Sequence, residues 1–150
     1  MTNRDTVALT GKLTISLNGE VVQRVNNLVV TAGKNWVTSR MNAATAGVMT
    51  HMAIGTGTTA AAVGQTALVT EAARVALTTS GGSVASNVIT FTATIPADTP
   101  NVTAPATAAI TEAGIFNANS AGTMLARTVF TAINKGELDT MTISWDITIS

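Results

Sequence analysis

Strict alternation of apolar and polar residues is the property that most narrows the folds open to this chain. From Thr140 to Ser150 every odd position is apolar and every even one polar, so Met141, Ile143, Trp145, Ile147 and Ile149 share one side. A period of two is what a half-buried strand requires, because successive side chains leave opposite faces of a sheet. The same rhythm recurs in Leu13, Ile15 and Leu17, and in Ile89, Phe91, Ala93 and Ile95, where Thr90, Thr92 and Thr94 fill the gaps. Threonine suits the wet face because its branched Cβ favours extended backbone. Asn18-Gly19 ends the first of these runs with residues that tolerate positive φ, which predicts a two-residue hairpin turn and a returning strand over 20–25. Pairing Leu17 with Glu20 would then set Ile15 opposite Val22.

Further strands are expected at 48–54, 74–78, 110–117 and 124–133. Between them lie Gly55-Thr56-Gly57, Ser80-Gly81-Gly82, the segment 96–105, residues 117–122 and Lys135-Gly136. One helix is expected over 32–44, capped by Thr31 and weakened by Gly33, with Trp36, Val37, Arg40 and Met41 at helical spacing. The reading is an all-β chain, an antiparallel β-sandwich or jelly-roll-like barrel with one short helix, in which each sheet keeps one wet face. The polar stretch 1–10 lacks a clear partner strand and reads as a flexible N-terminal arm ahead of a single β domain over 11–150. Its Arg4 and Asp5 are candidate interface residues.

Composition removes most chemistries. The 150 residues contain no Cys and one His, so a disulfide framework, a thiolate metal site, a cysteine nucleophile and a multi-histidine metal cluster are all excluded. Eight Lys+Arg balance eight Asp+Glu, which argues against a nucleic-acid partner, since such a surface must be basic to displace counterions. Uncharged stretches such as 41–70 are broken by Thr and Gly and do not read as membrane spans, and no signal peptide is visible. Only 11% of residues are charged, against about 25% in an average soluble domain. The 28 Thr and 25 Ala that take their place suit a surface covered by neighbours in an assembly, including other copies of the chain.

Candidate sites are few. Residues 55–60 fit the dinucleotide fingerprint GxGxx(G/A), but that motif needs a helix behind it and parallel strands around it, and a flexible Gly-Thr loop is the better reading. His51 lies in an expected strand without nucleophile or acid, which suggests a surface or interface histidine. Glu137 and Asp139 flank a turn and supply too few oxygens for a cation. Asn101-Val102-Thr103 is a formal glycosylation sequon without a secretion signal. Glu71, Arg74, Glu112 and Arg127 each stand alone among apolar or small residues; they either pair, within the fold or across an interface, or act as independent surface charges. No catalytic constellation, cofactor site or metal site emerges, and the chain reads as a non-enzyme.

Three stretches carry a resemblance. Met49-Thr50-His51-Met52-Ala53-Ile54-Gly55-Thr56-Gly57-Thr58-Thr59 leads into Gln65-Thr66-Ala67-Leu68-Val69-Thr70-Glu71. Ile110-Thr111-Glu112-Ala113-Gly114-Ile115-Phe116-Asn117-Ala118 follows, and then Gly122-Thr123-Met124-Leu125-Ala126-Arg127-Thr128-Val129-Phe130 runs into Lys135-Gly136 and the final strand. Together they resemble small virion structural proteins of tailed bacteriophages, and a similar pattern recurs in the attachment domains of phage tail-fibre proteins. The resemblance covers nearly the whole chain from Leu13 onward. It implies a virion protein, assembled in the host cytoplasm, whose partners are the major capsid protein or tail proteins. The chain stops at Ser150 with no fibre shaft, so the expectation is a head decoration, or cement, protein that bridges capsid subunits, with tail or tail-fibre attachment as the alternative.

Overall fold

A computed structural model describes residues 5–42, 47–99 and 107–150. Its elements are β1 (Leu9–Leu17), β2 (Glu20–Asn26), β3 (Leu28–Val29), α1 (Thr31–Met41), β4 (His51–Gly55), β5 (Glu71–Ala76), β6 (Ser83–Ala85), β7 (Val88–Ile95), β8 (Thr107–Phe116), β9 (Met124–Gly136) and β10 (Met141–Ile149). They form two five-stranded sheets in the orders β2-β1-β10-β7-β6 and β3-β9-β8-β4-β5. Every pairing is antiparallel. The all-β sandwich expected from the alternation is therefore present.

The first sheet follows the two-residue rhythm closely. Leu13, Ile15, Phe91, Ala93, Ile143, Trp145 and Ile147 are buried in the main core. Thr14, Thr92, Thr142 and Ser144 lie between them on the opposite face. Asn18 and Gly19 both take positive φ, as the hairpin requires, and Leu17 pairs with Glu20. The register beyond the turn differs from expectation, because Ile15 faces Gln23 instead of Val22. A β-bulge at Ile15/Ser16 absorbs one residue. Without it Arg24 would stand opposite Leu13 on the core side; with it Val25 does, and Arg24 turns outward opposite Thr14. Avoiding a buried cation is the physical reason for the shift.

Two further details depart from the sequence reading. Leu9 and Thr10 of the expected arm belong to β1 and pair with β10, and just beyond them Ala8 and Ser150 exchange backbone hydrogen bonds of 2.8 and 3.0 Å. Arg4, in the same arm, lies outside the described residues, as do the sequon at 101–103 and the helix end expected at 43–44. Val30, not Thr31, is the N-cap of α1, and it makes no side-chain cap bond; the Thr31 N–H donates instead to Val63 O at 2.8 Å. Gly33 is the one buried residue of α1 because a Cβ there would collide with the Leu125 carbonyl of β9.

The two sides of the sandwich are stitched. Gln23 Nε2 donates to Thr131 O (2.6 Å) and Thr128 Oγ1 to Asn26 O (2.8 Å), tying β2 to β9 across the gap between sheets. On the other side the Leu77 N–H still bonds Thr50 O beside the second sheet, while the Thr78 N–H bonds Thr92 O in the first, each at 2.8 Å. The second sheet breaks the expected wet-face rule. Its inner side, with Met52, Ile54, Ala113 and Ile115, joins the main core, but its outer side is also covered. There Ala53, Phe116 and Met124 pack with Val30 and Leu68, the latter brought by the long loop 56–70.

Candidate functional site

The loop 56–70 contains no helix or strand and no charged residue, yet it lies flat on the outer face of β8 and β9. A backbone laid over a sheet without ladder partners must find other acceptors for its N–H groups. Glu112 supplies them. Its Oε1 accepts from Gly57 N (3.0 Å) and Thr70 N (2.7 Å), and its Oε2 accepts from Val69 N (3.0 Å). One carboxylate thus holds both ends of the loop.

Arg127 completes the arrangement from the neighbouring strand. Its Nε and Nη2 donate to Glu112 Oε2 at 3.0 and 2.7 Å, while Nη1 reaches Gln65 Oε1 (2.9 Å) and Nη2 reaches Thr59 O (3.0 Å), holding the middle of the loop. Both charged side chains are fully buried. Thr111 adds a bond from Oγ1 to Gly57 O at 2.8 Å. Burial opposes ionisation of Glu112, but the Thr70 amide, the Arg127 guanidinium and the Val69 and Gly57 amides outweigh it and hold the carboxyl below its ordinary range.

This arrangement decides the nucleotide question. The Gly57 N–H that a pyrophosphate would need is already given to Glu112, and a Cβ at Gly57 would strike that carboxylate. The glycine serves the close approach of loop to sheet, and a loop follows it instead of a helix.

Glu71 and Arg74 form a second pair. Arg74 Nε and Nη2 donate to the two Glu71 oxygens at 2.8 Å each, in fork geometry. Arg74 Nη1 also donates to Ala118 O (2.9 Å) and Ala121 O (2.8 Å), and the guanidinium stacks 3.8 Å from the Phe116 ring centre. It thereby pins the β8–β9 turn against β5. The structure joins the four isolated charges into two pairs within the chain. Asp5, also singled out, is exposed.

The remaining candidates do not converge. His51 is half-buried, with Nδ1 2.8 Å from the hydroxyl of its neighbour Thr50. Asp139 accepts from Asn18 Nδ2 (2.8 Å) and Gly136 N (2.7 Å), and these bonds keep its carboxyl below the usual range while organising the β9–β10 turn. Among the described residues no group of three His, Cys, Asp or Glu could hold a metal ion. No helix among them is long and apolar enough to cross a membrane.

Two features escaped sequence reading. Lys135 is fully buried, and its burial pushes the ammonium pKa down against the pull of Asp139 and Asp98. Its parity with the buried Ile133 was the available signal. The second is an apolar groove beside α1, lined by residues from five separate segments of the chain, including Leu9, Val37 and Ile149. No protein-family model, curated protein or solved structure matches this chain.

Proposed function

We propose that the chain is a structural protein of a tailed-bacteriophage virion, a decoration or cement protein that bridges neighbouring major capsid subunits. The observation that carries this reading is where the resembling stretches meet. Gly57, Val69 and Thr70 from the first, Glu112 from the second and Arg127 from the third come together around one buried carboxylate. The residues of the pattern that look chemical are spent on holding a loop to a sheet, with Glu112 and Arg127 at 0% side-chain exposure. Such a pattern belongs to a rigid module that works by being held among neighbours, with strength added across many contacts per copy. Self-association and the absence of catalysis, cofactor and nucleic-acid binding form part of the same proposal.

Labelling virions of the encoding phage with antibody against this chain, followed by particle reconstruction, tests it. Density for the chain over joints of the head shell is the expected result. Density at the tail or fibre base would replace decoration with attachment, and particles lacking the chain would overturn the virion reading.

A further inference from the structure

The two ends of the sandwich differ in shape and in charge. At one end α1 lies over the start of β1 and the finish of β10, leaving a groove of about 540 Å³ walled by Val7, Leu9, Val37, Met41 and Ile149. Through Leu9, Val37 and Ile149 it continues into a hollow of about 260 Å³ beneath Trp36. Val7, Met41 and Ile149 are 77, 86 and 43% exposed, an unusual gathering of aliphatic surface. Lys34, exposed, stands on the wall of the larger groove, and Arg40 lies over the Trp36 ring at 6.0 Å; no carboxylate lines either hollow among the described residues. Asp5, exposed two residues before Val7, lies outside that lining.

The opposite end carries the complement. Leu138 sits in the turn between β9 and β10 and is 84% exposed. Glu137 beside it is exposed, and Asp98, also exposed, ties itself to the turn through its N–H to Glu137 O at 2.8 Å. Asp139 is committed to Asn18 and Gly136. The nearby cation, Lys135, is buried beneath the turn, where its charge acts on Asp139 and Asp98 and leaves Glu137 as the acid beside the tip.

We propose that copies of this chain associate head to tail, Leu138 of one copy entering the α1 groove of the next while Glu137 faces Lys34. A second copy fits because one molecule carries both halves of the match: an aliphatic tip beside the exposed acid Glu137, and an aliphatic groove beside the exposed base Lys34. The two patches are different surfaces, so the contact is heterologous and builds a ring where the rotation closes and a filament where it does not. It is a property of the purified chain and does not depend on where in a virion the protein sits.

Sedimentation velocity of the purified full chain and two variants tests the contact. Leu138→Ser removes the tip and leaves the groove intact, whereas Lys34→Glu reverses the groove charge and leaves the tip intact; both positions are solvent-facing. Wild type is expected to form species larger than monomer as concentration rises, and to dissociate at high salt. Each variant alone should associate about tenfold or more weakly. Mixed together they should form a 1:1 dimer that grows no further, since only one productive contact remains. A wild type monomeric at every concentration, variants that associate like wild type, or a mixture that stays monomeric would each overturn the proposal.

Discussion

Replacing Glu112 by Gln tests whether the loop 56–70 is held as described. The amide would keep one oxygen but turn an NH₂ toward the Arg127 donors or a loop N–H, opposing donor to donor. Arg127 would keep only Gln65 and Thr59 as partners and remain a buried charge without its counter-ion. Breaking a buried pair from one side costs about 3–5 kcal/mol. With a urea m-value of about 2 kcal/mol/M, the unfolding midpoint should fall by about 2 M, and Tm by about 10 °C. Arg127→Met should cost less, because the carboxylate retains three backbone donors. The double variant should then cost less than the two singles summed, by about 1–3 kcal/mol. Urea titration followed by circular dichroism gives all four values, and hydrogen exchange at Gly57, Val69 and Thr70 reports the loop directly. A Glu112→Gln loss under about 1 kcal/mol with those amides still protected would refute the reasoning, as would strictly additive singles.

The pH dependence of the same pair has a definite sign. Because the folded carboxyl of Glu112 titrates below its unfolded value, its stabilisation is fully present above the ordinary glutamate pKa of about 4.3 and is lost as pH falls through the lower folded value. The gap between wild type and Glu112→Gln should therefore narrow only in acid below about pH 4, and a constant gap down to pH 2 would contradict this. Lys135 has the opposite character: its folded pKa lies below the unfolded one, so stability rises with pH from the folded value toward about 10.4. Lys135→Met should be neutral or stabilising by about 1 kcal/mol at pH 7 and should flatten that alkaline rise, as thermal melts would show. Gly33→Ala should destabilise by about 1–3 kcal/mol despite the helix preference for Ala, because its Cβ meets the Leu125 carbonyl; a raised Tm would contradict the close packing of α1 on β9.

The first sheet was readable from the residues because one of its faces is wet, and alternation records that difference at every step. The second sheet was harder. Residues 110–116 and 124–128 are buried at every position, since the loop covers the outer face, so the two-residue rhythm fades there. The strand segments still stood out by their apolar and β-branched residues, but which side was covered did not. β3 and β6 were missed because two and three residues are too few to show a period. The Ile15–Gln23 register depended on a bulge whose advantage, keeping Arg24 out of the core, is visible only after both hairpin strands are placed. Glu112 and Arg127 were recognisable as isolated charges. Their partners on the loop were not, because backbone amides carry no side-chain signature in a sequence.

The stitched sides have a consequence for keeping the protein in solution. With zero net charge and few ionic groups, the chain has little electrostatic repulsion to hold copies apart. A long open strand border on such a molecule would invite uncontrolled sheet-on-sheet growth. Gln23 and Thr128 tie the edge strand β2 to β9 on one flank, Thr78 crosses to the first sheet just after the edge strand β5 on the other, and the remaining edge strands β3 and β6 offer only two and three residues as a template. Where the flanks are closed, hydrogen bonds between uncharged groups close them, and high salt leaves those in place.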